Sequence, residues 1–180
     1  MRVISGIARG TVLKTPDGML TRPTADRVKE ALFSIIQFDL PGAKVLDLFG
    51  GTGQLGIEAL SRGAACAVFV DAQKSACMLI RENLKRAHLE EKAKVVCSDY
   101  ADFLKKSGET YDIILLDPPY AEKFLENALK MITEIDILQS GGIIVTERPA
   151  NKELDLEFSG FTSSKDYKYS STILAIYRKD

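Results

Sequence analysis

Short apolar runs alternate with amphipathic stretches through most of this 180-residue chain, and this rhythm limits the possible folds more than any other feature. It starts after Gly42. Short apolar runs are typical of strands buried in a parallel sheet, and the amphipathic stretches between them are typical of helices that cover its two faces. The pattern therefore predicts an α/β fold. The predicted strands are residues 45–49, 65–70, 94–97, 111–116 and 142–146.

Helices are predicted between these strands and a hairpin after them. The helices are expected at residues 54–62, 74–87, 101–106 and 122–132. Two β-rich runs follow at residues 161–167 and 172–177, joined by a short polar link. Consecutive β-rich runs with a short link are typical of a hairpin. We expect this hairpin to close one edge of the sheet.

The first forty residues have a different pattern. Residues 2–13 are β-like and are interrupted by Gly6 and Gly10, which predicts a small hairpin. Thr24 follows a proline and precedes apolar residues at helical spacing. We therefore expect Thr24 to cap a helix that ends before Pro41.

Basic residues outnumber acidic ones in this segment. We expect residues 1–40 to form a mildly basic N-terminal extension, and residues 41–180 to form the main domain. The basic side chains would lie on the hairpin and on the helix side that faces away from the apolar stripe. They are Arg2, Arg9 and Lys14 on the hairpin, and Arg22, Arg27 and Lys29 on the helix.

Composition excludes several kinds of protein. The formal net charge of −1 argues against unselective nucleic-acid binding by the whole surface. The single histidine, His88, is expected to be exposed, which argues against a histidine-based metal site or catalytic triad. Cys66, Cys77 and Cys97 are expected to be reduced and buried. No apolar stretch approaches the roughly 20 residues that span a membrane, and no signal peptide is evident, so a cytoplasmic location is expected.

A strand that ends in a carboxylate and runs into a glycine turn is the strongest local motif. Residues 45–53 read VLDLFGGTG, and residues 51–56 match the GxGxxG pattern that opens a helix. Asp71 follows at the spacing expected for an acid that binds ribose hydroxyls. In an open α/β sheet, ligands bind beyond the carboxyl ends of the strands. The motif leaves two ligands open, a nicotinamide dinucleotide and S-adenosylmethionine (SAM).

The position of Asp47 favours SAM. A carboxylate at the tip of the strand would repel a pyrophosphate, but it could accept hydrogen bonds from a cationic amino group. Asp71 could bind the ribose of either ligand, and Asp99, after the next strand, could accept from the adenine amino group. Each of these acids could instead serve as a helix cap or a turn residue.

The tetrapeptide DPPY at residues 117–120 directly follows the fourth predicted strand. Two prolines leave the backbone stiff and extended, which suits a binding site. An exocyclic amino group of a base is a poor nucleophile, because its lone pair is delocalised into the ring. Asp117 and the carbonyl of Pro118 could accept hydrogen bonds from the two N–H groups of this amino group, while Tyr120 stacks on the base. These residues indicate methyl transfer to a base amino group.

The chain resembles the RsmD family of bacterial 16S ribosomal RNA guanine-N2 methyltransferases over essentially its whole length. The resemblance is carried by residues 22–33 (RPTADRVKEALF), 47–64 (DLFGGTGQLGIEALSRGA) and 117–120. It implies a Rossmann-like SAM-dependent methyltransferase fold for the main domain. This chain departs from the family at Asp71, where the family usually has glutamate, and at Ser170, where it tends to glycine.

The resemblance also implies partners and site residues. The RNA would be 16S ribosomal RNA, alone or within an assembling small ribosomal subunit, and no metal is expected. DPPY also occurs in adenine-N6 enzymes, so guanine rests on the resemblance. A nicotinamide oxidoreductase and a non-catalytic RNA-binding module stay as alternatives. The expected residues are Asp117, Pro118, Pro119 and Tyr120 for catalysis; Asp47, Phe49, Gly50, Gly51, Gly53, Asp71, Asp99 and Tyr100 for SAM; and Arg2, Arg9, Lys14, Arg22, Thr24 and Arg27 for RNA.

Overall fold

A computed structural model describes residues 1–16, 23–119, 123–151 and 160–180. Its helices are α1 (Pro23–Ile35), α2 (Gln54–Ser61), α3 (Lys74–Ala87), α4 (Tyr100–Lys106) and α5 (Phe124–Ile135). Its strands are β1 (Lys44–Asp47), β2 (Cys66–Asp71), β3 (Ala93–Cys97), β4 (Tyr111–Leu116), β5 (Leu138–Pro149), β6 (Phe161–Tyr169) and β7 (Thr172–Lys179). Within the described ranges the strands form one sheet in the order β3-β2-β1-β4-β5-β7-β6.

The sheet is parallel except at one edge. Strands β1 to β5 pair in parallel with their neighbours, and β7 pairs antiparallel with both β5 and β6. The predicted α/β fold and the predicted edge hairpin are therefore confirmed. The strand order reverses between β1 and β4, because β2 and β3 lie on one side of β1 and all later strands lie on the other. Such a reversal is where open α/β sheets bind ligands.

Strand β5 is longer than the sequence pattern predicts. It runs over Leu138–Pro149 instead of residues 142–146. Its register with β4 shifts at the start, since Tyr111 pairs with Leu138 and Ile113 pairs with Ile143. The glycines in this segment interrupt the apolar run, but the hydrogen-bonded pairing of the strand continues through them. Gly142 allows the backbones of β4 and β5 to approach closely, because a Cβ there would lie 2.9 Å from the carbonyl oxygen of Asp112.

Helices cover both faces of the sheet. Apolar side chains of α1, α2, α3 and the N-terminal hairpin form one core with one face, and those of α4 and α5 form a second core with the other. We call the first the hairpin face. Alternate strand residues enter alternate cores: Val45 and Leu115 belong to the hairpin face, and Leu46 and Leu116 to the opposite one.

The N-terminal hairpin is confirmed, and a buried ion network fixes it to the main sheet. Arg2 and Val12 form an antiparallel bridge. The carboxylate of Glu58 in α2 is fully buried, and it accepts hydrogen bonds from the backbone N–H groups of Ile4 at 2.8 Å and Ser5 at 3.0 Å. It also accepts one from Nε of Arg62 at 2.7 Å. A buried charge is tolerated only with such partners.

Lys29 belongs to this network, so the prediction that it faces solvent is wrong. Its side chain is buried, and its Nζ donates to the carbonyl oxygen of Arg2 at 2.7 Å and lies 3.9 Å from Oε2 of Glu58. Burial lowers the pKa of Lys29, while the nearby Glu58 opposes that change. The periodicity of α1 shows one buried stripe, but it cannot show that the hairpin covers a second side of the helix.

Other predictions are confirmed or corrected by local geometry. Helix α1 begins at Pro23, so Thr24 lies inside its first turn instead of capping it. His88 is exposed, as predicted. The cysteines are free, but only Cys77 is buried, and Cys97 is exposed because it ends the edge strand β3. In the described ranges, no helix combines the length and the apolar character needed to cross a membrane.

The turn of the hairpin packs tightly on the end of α2. Ile7 donates its backbone N–H to the carbonyl oxygen of Ser61 at 2.8 Å, and Ala8 donates to the Ser61 hydroxyl at 3.0 Å. A Cβ at Gly6 would lie 1.8 Å from that carbonyl oxygen. Gly6 is thus required for the close contact between the hairpin and α2.

We expect Gly6→Ala to destabilise the protein more than Gly10→Ala. Both glycines have a φ of +85°, so both substitutions carry the same left-handed backbone cost. Only the alanine at Gly6 would also clash, since nothing lies within 4 Å of a Cβ at Gly10. The difference in unfolding free energy, measured by urea denaturation, should be about 1–3 kcal/mol. Equal losses for the two variants would contradict the tight packing.

Candidate active site

Three carboxylates lie together at the carboxyl edge of the central strands. Asp47 ends β1 and pairs in register with Phe69 of β2 and Leu115 of β4. Asp71 and Asp117 each come two residues after those partners. Residues two apart on a strand share a face, so the register places all three acids on the hairpin face. This is the edge at which the sequence pattern predicts a ligand to bind, beyond the carboxyl ends of the strands.

Asp47 is buried and only partly satisfied. Its Oδ2 accepts the backbone N–H of Gly56 at 3.0 Å, whereas its Oδ1 has no hydrogen-bond partner in the part of the chain that the structure describes. The pKa of this carboxyl is raised to about 7, because burial and, to a smaller extent, the charge of Asp71 outweigh the lowering effect of the Gly56 hydrogen bond. Asp47 therefore bonds the first turn of α2 with one oxygen and leaves the other without a partner in the described residues.

Asp71 holds the glycine turn in place. Its Oδ2 accepts the backbone N–H of Gly51 at 2.9 Å, and its Oδ1 accepts that of Gln73 at 2.8 Å. The turn residue Gly51 has a φ of +54°, which favours glycine. The backbone N–H groups of Gly51 and Gly56 are therefore already bonded within the protein, to Asp71 and Asp47. Each Asp71 oxygen still has lone-pair capacity for a further donor.

The remaining glycines of the turn allow close packing. A Cβ at Gly50 would lie 2.8 Å from Cδ1 of Ile80, and one at Gly53 would lie 3.2 Å from Cγ2 of the same side chain. Both glycines are buried, whereas Gly51 is exposed. Gly50 and Gly53 thus let α3 pack beneath the turn, and Gly51 provides its open surface.

Asn83 was not predicted from the sequence as a site residue. It is fully buried in α3, and its Nδ2 donates to the carbonyl oxygens of Thr52 at 2.8 Å and Lys14 at 3.0 Å. Its Oδ1 accepts the backbone N–H of Lys14 at 2.7 Å. One side chain therefore ties the N-terminal extension to the glycine turn. In the sequence Asn83 is an ordinary polar residue of an amphipathic helix, and no motif distinguishes it.

An aromatic cluster borders the other face of the edge. The rings of Phe49 and Tyr100 lie 5.3 Å apart between centroids, and Phe124 lies 6.3 Å from the first and 5.8 Å from the second. Asp99 caps α4, and its Oδ1 accepts the backbone N–H of Ala101 at 2.8 Å. The cap interpretation thus applies to Asp99, although its second oxygen can still accept a donor.

Asp117 is half-buried beside a second acid. Pro118, which follows it, is buried, and Pro119 is exposed. The pKa of Asp117 is raised to about 8, first by burial and then by the negative charges of Glu147 and Asp47. Glu147 of β5 was not predicted as a site residue. Its signal in the sequence was its position directly after an apolar run, the same placement that singles out Asp117.

Comparison with known proteins assigns the chain to a family. The model of a family described as conserved hypothetical protein 95 matches residues 1–178. The Bacillus subtilis protein YlbH is 40% identical over 182 residues, which cover 99% of each chain. Ribosomal RNA small subunit methyltransferase D of Haemophilus influenzae is 34% identical over 157 residues, 86% of this chain and 81% of the relative. The solved structure of yhhF from Escherichia coli has a TM-score of 0.89 at 31% identity, and the match covers 100% of this chain and 98% of that one.

The chain belongs to the RsmD family. Its sheet is the Rossmann-like fold of SAM-dependent methyltransferases, as the resemblance predicted. In this RsmD-family chain the acids and the glycine turn come together at one edge, as described above. Tyr120 and Arg22 lie outside the described residues, as does the side chain of Thr24. Their predicted roles stay predictions.

Three of the basic residues predicted to bind RNA line one cleft of the RsmD-family chain. The cleft has a volume of about 440 Å³, and Arg2 and Arg9 of the hairpin and Arg27 of α1 line it together with the acids Asp26 and Glu30. The three arginines are exposed. The cleft gathers positive charge from two separate elements of the N-terminal extension.

Lys14 differs from these arginines. Its ammonium forms an ion pair with Glu82 of α3. This pairing satisfies the charge of Lys14 within the protein. A contribution of Lys14 to RNA binding stays a prediction. The side chains of the three arginines form no such ion pair within the described residues.

We expect Asp47→Asn to stabilise the ligand-free protein at alkaline pH. Because burial raises the pKa of Asp47 from 3.8 to about 7, the stability that this carboxyl contributes is present below pH 4 and is lost as the pH rises through 7. Asparagine stays neutral and keeps an oxygen that can accept the Gly56 N–H. The melting temperature should rise by roughly 5 °C at pH 8 and change little at pH 4.

The matched control for this experiment is Asp102→Asn. Asp102 is exposed in the first turn of α4. Thermal unfolding of this variant should show no gain that grows with pH. A destabilised Asp47→Asn at pH 8, or a gain of equal size at both pH values, would contradict the buried, under-satisfied carboxyl.

Proposed function

We propose that the protein transfers a methyl group from SAM to the exocyclic N2 amino group of a guanine in 16S ribosomal RNA. One observation carries the proposal: the Asp117-Pro118 pair leaves β4 directly beside β1, whose terminal Asp47 keeps an unpartnered carboxyl oxygen within the described ranges. An element suited to hold a base amino group therefore lies next to an element suited to hold a cationic cofactor. The family relative named as a small subunit ribosomal RNA methyltransferase supports the choice of RNA.

Family membership implies SAM, and the residues present fit it. The free Oδ1 of Asp47 suits the ammonium of the methionine part, since an ionised buried carboxylate needs a second donor. Asp71 would hold the ribose hydroxyls with its remaining lone pairs, and Asp99 would receive the adenine amino group beside Tyr100. When bound, SAM supplies a reactive methyl group on a sulfonium sulfur. Pyrophosphate fits this site poorly, because it would meet the carboxylate of Asp47.

Asp117 and Pro118 would prepare the nucleophile. The carboxylate of Asp117 and the carbonyl of Pro118 accept hydrogen bonds from the two N–H groups of the amino group. The lone pair of the amino nitrogen is then directed toward the methyl donor. The consecutive prolines restrict the backbone and keep these acceptors in position. The ionised form of Asp117 is the better acceptor, and after transfer it can take the proton that leaves the amino nitrogen. Stacking of Tyr120 on the base is part of the proposal.

The arginine cleft would hold the RNA backbone. Each of Arg2, Arg9 and Arg27 lacks a side-chain hydrogen bond or ion pair within the described residues, so all three guanidinium groups are open to phosphate. Swinging a base out to reach Asp117 costs a few kcal/mol. Phosphate contacts on the N-terminal extension would offset that cost, while the net charge of −1 limits indiscriminate binding.

The decisive experiment is methyl transfer to small ribosomal subunits from cells that lack the gene, followed by nucleoside analysis. Asp117→Asn should lower the rate at least about 100-fold, because its acceptors act on the base, while the affinity for S-adenosylhomocysteine stays within a few fold. The wild-type rate should rise with pH as Asp117 ionises near pH 8.

The modified nucleoside and the bound ligand distinguish the proposed function from its alternatives. N2-methylguanosine supports the proposal, and N6-methyladenosine would replace guanine by adenine. Binding of a nicotinamide dinucleotide in preference to S-adenosylhomocysteine would indicate an oxidoreductase. RNA binding without any methyl transfer would leave a non-catalytic module.

We expect the double variant Arg2→Gln, Arg9→Gln to bind 16S ribosomal RNA more weakly than wild type. It should also flatten the dependence of binding on salt, by about 0.7–0.9 in logarithmic slope for each phosphate group that the variant no longer binds. Lys14→Gln is the control, since Lys14 already pairs with Glu82 and should matter less. Filter binding over a range of salt concentrations measures both quantities. Equal effects of the two variants would count against the cleft.

A further inference from the structure

Glu147 lies directly beside Asp117 at the carboxyl edge of the sheet. Leu116, the last residue of β4, pairs in register with Thr146 of β5, and Asp117 and Glu147 come directly after these two residues. Neighbouring strands are about 4.8 Å apart. Both acids follow residues of the hairpin face by two positions, Leu115 and Val145, so both belong to that face.

The two acids share one partly buried environment. Asp117 and Glu147 both have intermediate exposure, between buried and exposed. After burial, the negative charge of Glu147 is the next cause that raises the pKa of Asp117, as expected for carboxyl groups at neighbouring strand ends. Such a pair costs stability in the free protein, and like-charged pairs of this kind cluster at functional sites.

The Watson–Crick edge of guanine fits a pair of neighbouring acceptors. It presents two adjacent donors, the ring N1–H and the exocyclic N2 amino group. Adenine presents its N6 amino group beside N1, and that N1 is an acceptor without a hydrogen. A carboxylate facing N1 therefore stabilises guanine and repels adenine, whereas an acceptor facing the amino group serves both bases.

We propose that Glu147 accepts a hydrogen bond from the ring N1–H of the target guanine and thereby selects guanine over adenine. This inference rests on the proposed function and deepens it, since Asp117 and Pro118 alone would hold the amino group of either base. Glu147 then acts as a specificity residue, and Asp117 as the acceptor for the reacting amino group.

Glu147→Gln tests the inference because its amide can also donate. The substrates are small subunits reconstituted with guanine or with 2-aminopurine at the mapped target position. The second base keeps the N2 amino group but lacks N1–H. Wild type should prefer guanine roughly 10- to 100-fold in kcat/KM. In Glu147→Gln this preference should fall to within about 3-fold, because the amide can donate to the bare N1.

Two further variants separate recognition from a structural role. Glu134→Gln changes an exposed glutamate of α5 and should keep the wild-type preference. Glu147→Asp keeps the charge with a shorter reach, so it should be slower but still prefer guanine. Calorimetry with S-adenosylhomocysteine should give affinities within about 3-fold of wild type for all variants.

The possible results are distinct. A Glu147→Gln variant that keeps the full preference for guanine would overturn the inference and leave the proposed function intact. Loss of cofactor binding in both Glu147 variants would also overturn it, because Glu147 would then support the fold. A wild-type protein that methylates no guanine would instead refute the proposed function.

Discussion

The contacts of the buried Glu58 carboxylate are the interaction on which the positions of the N-terminal hairpin and α1 depend. It lies on α2, and it accepts hydrogen bonds from the hairpin backbone while Lys29 of α1 approaches it. Removing one partner from such a group leaves a buried charge uncompensated, which costs about 3–5 kcal/mol. A single acid on the helix that begins at the glycine turn therefore contacts both the hairpin and α1 of the N-terminal extension. The arginine cleft takes its position relative to the active site from this contact.

A second route connects the extension to the glycine turn. Asp47 bonds the first turn of α2 from the end of β1, and Asn83 of α3 bonds both the glycine turn and Lys14. The extension is thus attached at two places: its hairpin backbone bonds Glu58 of α2, and Lys14 bonds Asn83 of α3, which also bonds Thr52 of the glycine turn. In the proposed function this matters because RNA held by the extension must present its base at a fixed distance from the methyl donor. A rigid attachment provides that distance without a separate moving element.

The edge that carries the site is unfavourable for the free protein. Asp47, Asp71, Asp117 and Glu147 gather there, and burial raises the pKa of two of them. Proteins commonly tolerate such destabilising groups where ligands later compensate them. A cationic cofactor near Asp47 and a base with two donors near Asp117 and Glu147 would do so. In the proposed function, the acidic edge and the net charge of −1 would leave RNA attraction to the arginine cleft.

Local pattern by itself determined the order of helices and strands, the edge hairpin and the positions of Asp47, Asp71 and Asp117 at strand ends. These features depend on residues close together in the sequence, and the period of apolar residues reports them directly. Only the tertiary structure decided that Lys29 is buried, that Asn83 joins the extension to the glycine turn, and that Glu147 stands beside Asp117. It also decided that the N–H groups of Gly51 and Gly56 are already bonded. Such contacts join residues far apart in the sequence through strand register and packing, and periodicity along one segment carries no information about the surface that another segment brings against it.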